Sequence, residues 1–282
     1  MTKPALRMRG VSSPPRSESL ERRLAGAWGP VFAYEKLGSA MDMAHELAAE
    51  GAEEGTLVFA VQQEQGRGRQ GRTWASPEGG AYFALIVRPL RSPGETPQLS
   101  LLAGLAAAES VQALSELHPS IRWPNDVLLK GKKLAGILVE QKKGGVVVGI
   151  GINVTSRPED LPESAVSLAA AMAAKPGPEP RAPPARPGVP GRASPELVYQ
   201  LTLEVCRRFG GHYRQWAKQG FGPFRDILRP WLALFGHPVH VSAGSDYFEG
   251  TAQDLDEQGR LVVRLDSGVQ KAFEMGEVAL LR

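Results

Sequence analysis

The chain has 282 residues, 42% of them hydrophobic. That supports a sizeable buried core, but no apolar run approaches the roughly 20 residues a membrane span needs. The net charge of +3 does not mark a general nucleic-acid binder, because it is concentrated in two segments: residues 1–23 carry six basic and two acidic side chains (net +4) and residues 175–195 four and one (net +3), which leaves the rest near −4.

In chain order, residues 1–27 are expected to form a disordered basic arm, since 1–23 are rich in Ser, Pro and Arg with no apolar period. The N-terminus has no continuous apolar stretch of the secretory type. Residues 28–235 are expected to form a catalytic domain of mixed helices and strands, and 236–282 a small antiparallel barrel, giving an α+β protein. Ser39 to Glu50 has the pattern of an amphipathic helix with Ser39 as N-cap. Strands are predicted over 56–61 and 81–88, and a long Ala/Leu helix over 99–117. The spans 134–140 and 146–154 predict a strand pair joined by a hairpin turn at Lys142-Lys143-Gly144-Gly145. Residues 175–195 hold eight prolines and three glycines and are expected to be a semi-rigid loop. Helices follow over 196–218 and 224–235, then short strands over 240–242, 247–252, 261–265 and 269–273, with hairpin turns at 243–245 and 256–259. Cys206, the single cysteine, excludes an internal disulfide and fits a reducing cytoplasm. Within its helical stretch it has the character of a small core hydrophobe rather than a nucleophile.

Three motifs carry chemistry. Gly66-Arg67-Gly68-Arg69-Gln70-Gly71-Arg72-Thr73-Trp74 contains a literal G-x-G-x-x-G after a strand. A dinucleotide fold would need a helix at the glycines and an acid some 20 positions on; Pro77, Gly79 and Gly80 break any helix, and Arg88-Pro89-Leu90-Arg91 stands where the acid should be. Arginines between glycines suit a flexible loop that closes over an anion, because glycine admits close backbone approach and guanidinium pairs bidentately with phosphate. The second motif is Arg122-Trp123-Pro124-Asn125-Asp126 followed by Lys133-Leu134-Ala135-Gly136-Ile137-Leu138-Val139-Glu140, in which a hairpin would bring Lys133 back beside Asp126. The third is Gly149-Ile150-Gly151-Ile152-Asn153, a strand whose glycines suit close approach of a ligand. His45-Glu46 begins an H-E-x-x-H, but Ala49 takes the second histidine's place, so no zinc pair forms.

Together these motifs resemble the biotin–protein ligases, which carry G-R-G-R-x-G-R-x-W, K-W-P-N-D with K-L-A-G-I-L-V-E, and G-I-G-I-N in this order; the resemblance is to the monofunctional type and runs from about Val31 to Arg282. It implies a mixed sheet with helices on one face followed by an SH3-like barrel, with ATP and biotin as substrates, Mg²⁺, and a biotin carboxyl carrier protein as acceptor. It also implies roles. Ser39, Gln63, Gly66, Arg67, Lys133 and Gly136 correspond to biotin-binding positions. Ser39 begins a family Ser-Thr-Asn motif that here has Ala40 and Met41. Arg69, Arg72, Trp74, Asn125 and Asn153 fall on the nucleotide side; Lys133, Arg69 and Asp126 are the catalytic candidates, with Asp126 also the magnesium candidate.

The chemistry agrees with that resemblance. Forming an acyl-adenylate needs no protein nucleophile, only in-line positioning and positive charge on the phosphoryl oxygens. The chain accordingly has no G-x-S-x-G elbow and no Walker lysine loop. A lipoate–protein ligase is the nearest alternative, and a biotin-sensing repressor an alternative of another class. Sequence-specific DNA binding is not expected, because only about 30 residues precede the catalytic resemblance and Pro4, Pro14 and Pro15 interrupt any recognition helix. A homodimer is compatible with the sequence, and no membrane association is expected.

Overall fold

A computed structural model of the chain describes residues 15–174, 194–244, 246–274 and 276–281. The expected Pro-rich loop falls almost entirely outside the described residues, as do positions 1–14 of the expected arm. The remainder of that arm corrects the expectation of disorder: Glu18–Arg23 form helix α1. Leu20 and Leu24, one turn apart, are both buried, and Glu18 faces Arg22 at the i,i+4 spacing. Just ahead of α1, Ser17 N–H donates to Ala33 C=O at 2.7 Å, so this segment occupies the outer edge of the first strand.

That strand, β1 (Val31–Leu37), begins a seven-stranded mixed sheet with β2 (Leu57–Gln63), β3 (Gly80–Val87), β4 (Ser120–Arg122), β5 (Asp126–Leu129), β6 (Lys132–Lys142) and β7 (Gly145–Asn153), in the order β1-β2-β3-β7-β6-β5-β4. Only the β1–β2 pair is parallel. Helices α2 (Ala40–Ala49), α3 (Gln98–Ser115), α4 (Leu168–Ala173), α5 (Glu196–Gln219) and α6 (Gly222–Leu228) complete the first domain. Strands β8 (Pro238–Ala243), β9 (Asp246–Leu255), β10 (Leu261–Leu265), β11 (Gln270–Phe273) and β12 (Glu277–Leu280) make a five-stranded antiparallel sheet, ordered β11-β10-β9-β8-β12. The short strand β12 was not foreseen. The second long helix predicted after the loop stops at Leu228, where Pro230 removes a backbone donor and the chain tightens into a 3₁₀ turn at Arg229–Trp231.

Period-two alternation sorts the sheet's side chains between two layers. Leu57, Phe59, Phe83, Leu85, Val148 and Ile150 pack in one apolar cluster with α3 and α5. Val58, Ala60, Ala84, Ile86 and Val147 pack on α2 in another. Helices therefore cover both faces, not one. Helix α2 is only ten residues long, so it covers part of its face and leaves Gly136 of β6 and Gly151 of β7 to be covered by Trp74 instead of by helix.

Cys206 lies on the α3–α5 side with no exposed surface, and burial pushes its thiol up to about 12. Thiolate chemistry requires the ionised form and access, and this cysteine has neither. Iodoacetamide is expected to leave the folded protein unlabelled at pH 8 and to label one site in urea. Labelling of native protein at a comparable rate, followed by mass spectrometry, would remove Cys206 from the core.

Candidate active site

The site lies where the exposed part of the α2 face meets the arginine loop. Gly136 on β6 pairs in register with Gly151 on β7, and Asp126 on β5 pairs with Gly136. Three neighbouring strands thus present a carboxylate followed by two positions with no side chain, and the sheet surface there is a shallow trough. Trp74 lies across it. A Cβ added at Gly136 would meet Trp74 Cζ3 at 2.8 Å, and one at Gly151 would meet Trp74 Nε1 at 2.6 Å. Met41 fills the next part of the trough, since a Cβ at Gly149 would stand 2.4 Å from its sulfur. These glycines are required by close approach, not by backbone conformation.

Gln63, Arg67, Arg69, Trp74, Asn125, Lys133 and Gly136 all line the cleft so formed. Asp126 and Arg72 line an adjoining cleft that also includes His240, Ser242 and Glu277 of the C-terminal sheet. Lys133 is common to both. Its Nζ is 2.7 Å from Asp126 Oδ1 and sits 5.2 Å from the centre of a Trp74 ring. Asp126 Oδ2 accepts a 2.5 Å hydrogen bond from Arg122, so this nearly buried carboxylate spans two cations. The hairpin expected from sequence does return Lys133 to Asp126. Arg69 donates to Asn125 Oδ1 at 3.0 Å and to the Gly276 carbonyl at 3.4 Å, and Asn125 donates to the Ile137 carbonyl at 3.0 Å. Burial draws the Arg69 guanidinium below its ordinary value, against the opposing effect of the Asp126 and Glu277 carboxylates. Arg72 reaches Glu277 at 2.5 Å.

Other expected residues take indirect positions. Ser39 is buried and does not line the cleft; its hydroxyl accepts from Asp42 N–H at 3.4 Å as the cap of α2. Gln63 is committed on both ends of its amide, accepting from Ala40 N–H at 2.8 Å and donating to Ser76 Oγ at 2.9 Å. Gly66 packs beneath the loop, where a Cβ would come within 2.4 Å of the Trp74 carbonyl. Asn153 ends β7 on the trough side but is buried outside both clefts, with its Oδ1 unpartnered.

Sequence reasoning assigned no role to Glu140, Asp42 or His45. Arg67 donates to both Glu140 oxygens, at 2.7 and 3.1 Å, and to Asp42 at 2.8 Å. A signal was present: Glu140 is at even spacing from Gly136 and Leu138, which puts it on the trough face.

Residues 37–156 match the biotin/lipoate A/B protein ligase family, and residues 234–281 match the biotin protein ligase C-terminal domain. The biotin--[acetyl-CoA-carboxylase] ligase of Mycobacterium tuberculosis is 33% identical over 95% of this chain and 97% of its own length. The bifunctional ligase/repressor BirA of Bacillus subtilis is 33% identical over 85% of this chain and 71% of its own. Among solved structures, the biotin protein ligase from Aquifex aeolicus in complex with biotin and ATP superposes with a TM-score of 0.72 at 27% identity, covering 90% of this chain and 100% of that one.

Proposed function

Because this chain belongs to the biotin protein ligase family, we propose that its trough, arginine loop and Lys133–Asp126 pair divide between them the two half-reactions of that chemistry. The protein activates biotin with ATP to biotinyl-5′-AMP and transfers the biotin to a lysine of a carrier protein. In the first step a biotin carboxylate oxygen attacks the α-phosphorus and pyrophosphate departs. In the second the carrier amine attacks the carbonyl of the mixed anhydride, AMP departs with the bonding electrons, and the amine loses a proton.

The observation that supports this division best is the position of Lys133. Like Arg69 it lines both the trough and the adjoining cleft, and it is the one of the two that is ion-paired with Asp126, at 2.7 Å. There it meets the carboxylate and the α-phosphate together, which is where negative charge accumulates. Trp74, seated on the glycines, receives the fused ring system of biotin, Asn125 holds Arg69, and Arg69 and Arg72 face the phosphates. Asp126 acts by orienting Lys133. As a magnesium ligand it does not fit, since both its oxygens already face cations, and no cluster of three or more acidic, histidine or cysteine ligands occurs among the described residues. Magnesium enters as part of the nucleotide substrate.

The acceptor is taken to be the biotin carboxyl carrier protein of a biotin-dependent carboxylase, and the setting the cytoplasm, which a single buried cysteine supports. No helix among the described residues is long and apolar enough to cross a membrane. The test is ATP-dependent labelling of a carrier domain with biotin or lipoate, read by intact mass alongside pyrophosphate release. Biotin transfer at least about a hundredfold faster than lipoate transfer is expected, because a site built to pair polar groups rejects a ligand that lacks them by large factors. Labelling by lipoate at an equal rate would make the protein a lipoate ligase, and pyrophosphate release with no transfer would remove the second half-reaction.

A further inference from the structure

The three arginines of the loop are held in different ways. Arg69 contacts only neutral oxygens by hydrogen bond, the Asn125 amide and the Gly276 carbonyl. Arg72 has one carboxylate partner, on a half-exposed glutamate of the C-terminal sheet. Arg67 is bidentate on Glu140 and has Asp42 as a further carboxylate. Its charge is thereby matched twice over before any substrate arrives, so it is the arginine least suited to meeting a phosphate.

Glu140 is itself held. His45 of α2, a buried side chain, is 3.0 Å from Glu140 Oε2 through Nε2, and Lys142 stands 3.3 Å from the same oxygen. Burial alone would raise the Glu140 carboxyl, yet the Arg67 hydrogen bonds and charge, with help from Lys142 and His45, hold it down at about 2. Burial and then the Lys142 charge push the His45 ring below its ordinary value, against the pull of Glu140. At neutral pH the ring is therefore uncharged and donates from Nε2. The cluster then contains two cations and two carboxylates, balanced at one corner of the trough.

We propose that Glu140 is a positioning residue for the arginine loop: seated by His45, it anchors Arg67 together with Asp42, which registers the loop over the trough and leaves Arg69 and Arg72 to meet the nucleotide. Arg67 is then a hinge pin rather than a phosphate ligand. The anchor joins α2, the loop and β6, three of the elements that bound the ligand cleft. A loosened anchor lets the loop lift, and lifting exposes the bound acyl-adenylate without altering the groups that make it.

This inference rests on the ligase reading, which the wild-type labelling assay tests separately. Glu140→Gln keeps the shape and removes the charge. Trypsin cleavage after Arg67, Arg69 and Arg72, measured with no ligand present, is expected to speed up about tenfold, the scale of one lost charge-assisted pair. In the ligase assay the biotin KM and the rate at which biotinyl-AMP escapes to solvent should each rise about tenfold, with the smaller loss falling on kcat. His45→Ala should move the same three readouts in the same direction, and His45→Gln, whose amide still donates to Glu140, should restore them. Asp42→Asn, at a half-exposed site that does not threaten folding, should give a weaker version and decides the matter if Glu140→Gln fails to fold. Unchanged cleavage, KM and escape in the folded variants would overturn the proposal. A loss confined to kcat would also overturn it, because Glu140 would then belong to the chemistry.

Discussion

Lys133→Ala is expected to slow biotinyl-AMP formation a few hundredfold while leaving the fold nearly as stable as the parent. Two anions must meet in the first half-reaction, and unit charges 4 Å apart repel by about 1 kcal/mol in water and about 4 kcal/mol near a protein surface. A preorganised ammonium cancels that repulsion at the point of contact. Removing one such donor costs about 3–4 kcal/mol of transition-state stabilisation, which is a few hundredfold in rate. The structural loss is small by comparison: Asp126 keeps its 2.5 Å hydrogen bond from Arg122, so no carboxylate is left buried without a cation. The melting temperature should therefore fall by only a few degrees. The second half-reaction, started from synthetic biotinyl-AMP, should lose far less, since carboxylate and phosphate are by then already joined. Pyrophosphate release and transfer from the preformed adenylate, measured on one variant, separate these effects. Equal losses in the two halves would mean that Lys133 binds the ligand uniformly, and near wild-type pyrophosphate release would remove it from the chemistry.

Much of this site could be read from the chain because its main groups are carried in short segments that a strand or hairpin places automatically. Lys133 returns to Asp126 because β5 and β6 are joined by two residues, which sets Lys133 opposite Leu128, on the same face as Asp126; the register shift that then puts Gly136 opposite Asp126 was not legible from the turn. Gly136 and Gly151 were visible as glycines inside strands, but their pairing opposite each other was not, since it depends on the register between β6 and β7. What could not be read locally was the anchoring of Arg67. Its partners come from 25 residues upstream and 73 downstream in sequence, Asp42 and Glu140. Ser39, by contrast, was legible as a helix cap, because a serine at a helix start has a local partner in the backbone two or three residues on, and that local bond is the one observed. The first helix was missed because basic and Ser/Pro-rich flanks dominate the composition of 1–23. The six-residue helix within it is stabilised by the sheet edge and core it packs against, not by intrinsic propensity.

Gly136→Ala is expected to raise the biotin KM by one to two orders of magnitude, although it adds a single methyl group. The methyl carbon would stand 2.8 Å from Trp74 Cζ3 and 3.3 Å from Lys133 Cε, closer than carbon atoms pack. The backbone of a central strand, hydrogen-bonded on both sides, yields little, so the indole must move. Trp74 also lies on Gly151, and lifting it at one glycine lifts it from both. Overpacking of this kind costs about 1–3 kcal/mol, and if the ligand needs the indole seated, that cost reappears as about 5- to 150-fold weaker binding. The contrasting substitution is Gly104→Ala in α3, where a Cβ would meet nothing nearer than Ile137 Cδ1 at 3.8 Å. There the methyl should stabilise the helix by about 0.5–1 kcal/mol and leave the KM alone. Biotin titrations of the two variants, with urea unfolding run in parallel, distinguish a blocked trough from a general effect of adding bulk. A Gly136→Ala protein that keeps the wild-type KM would show that biotin does not bind against the seated indole.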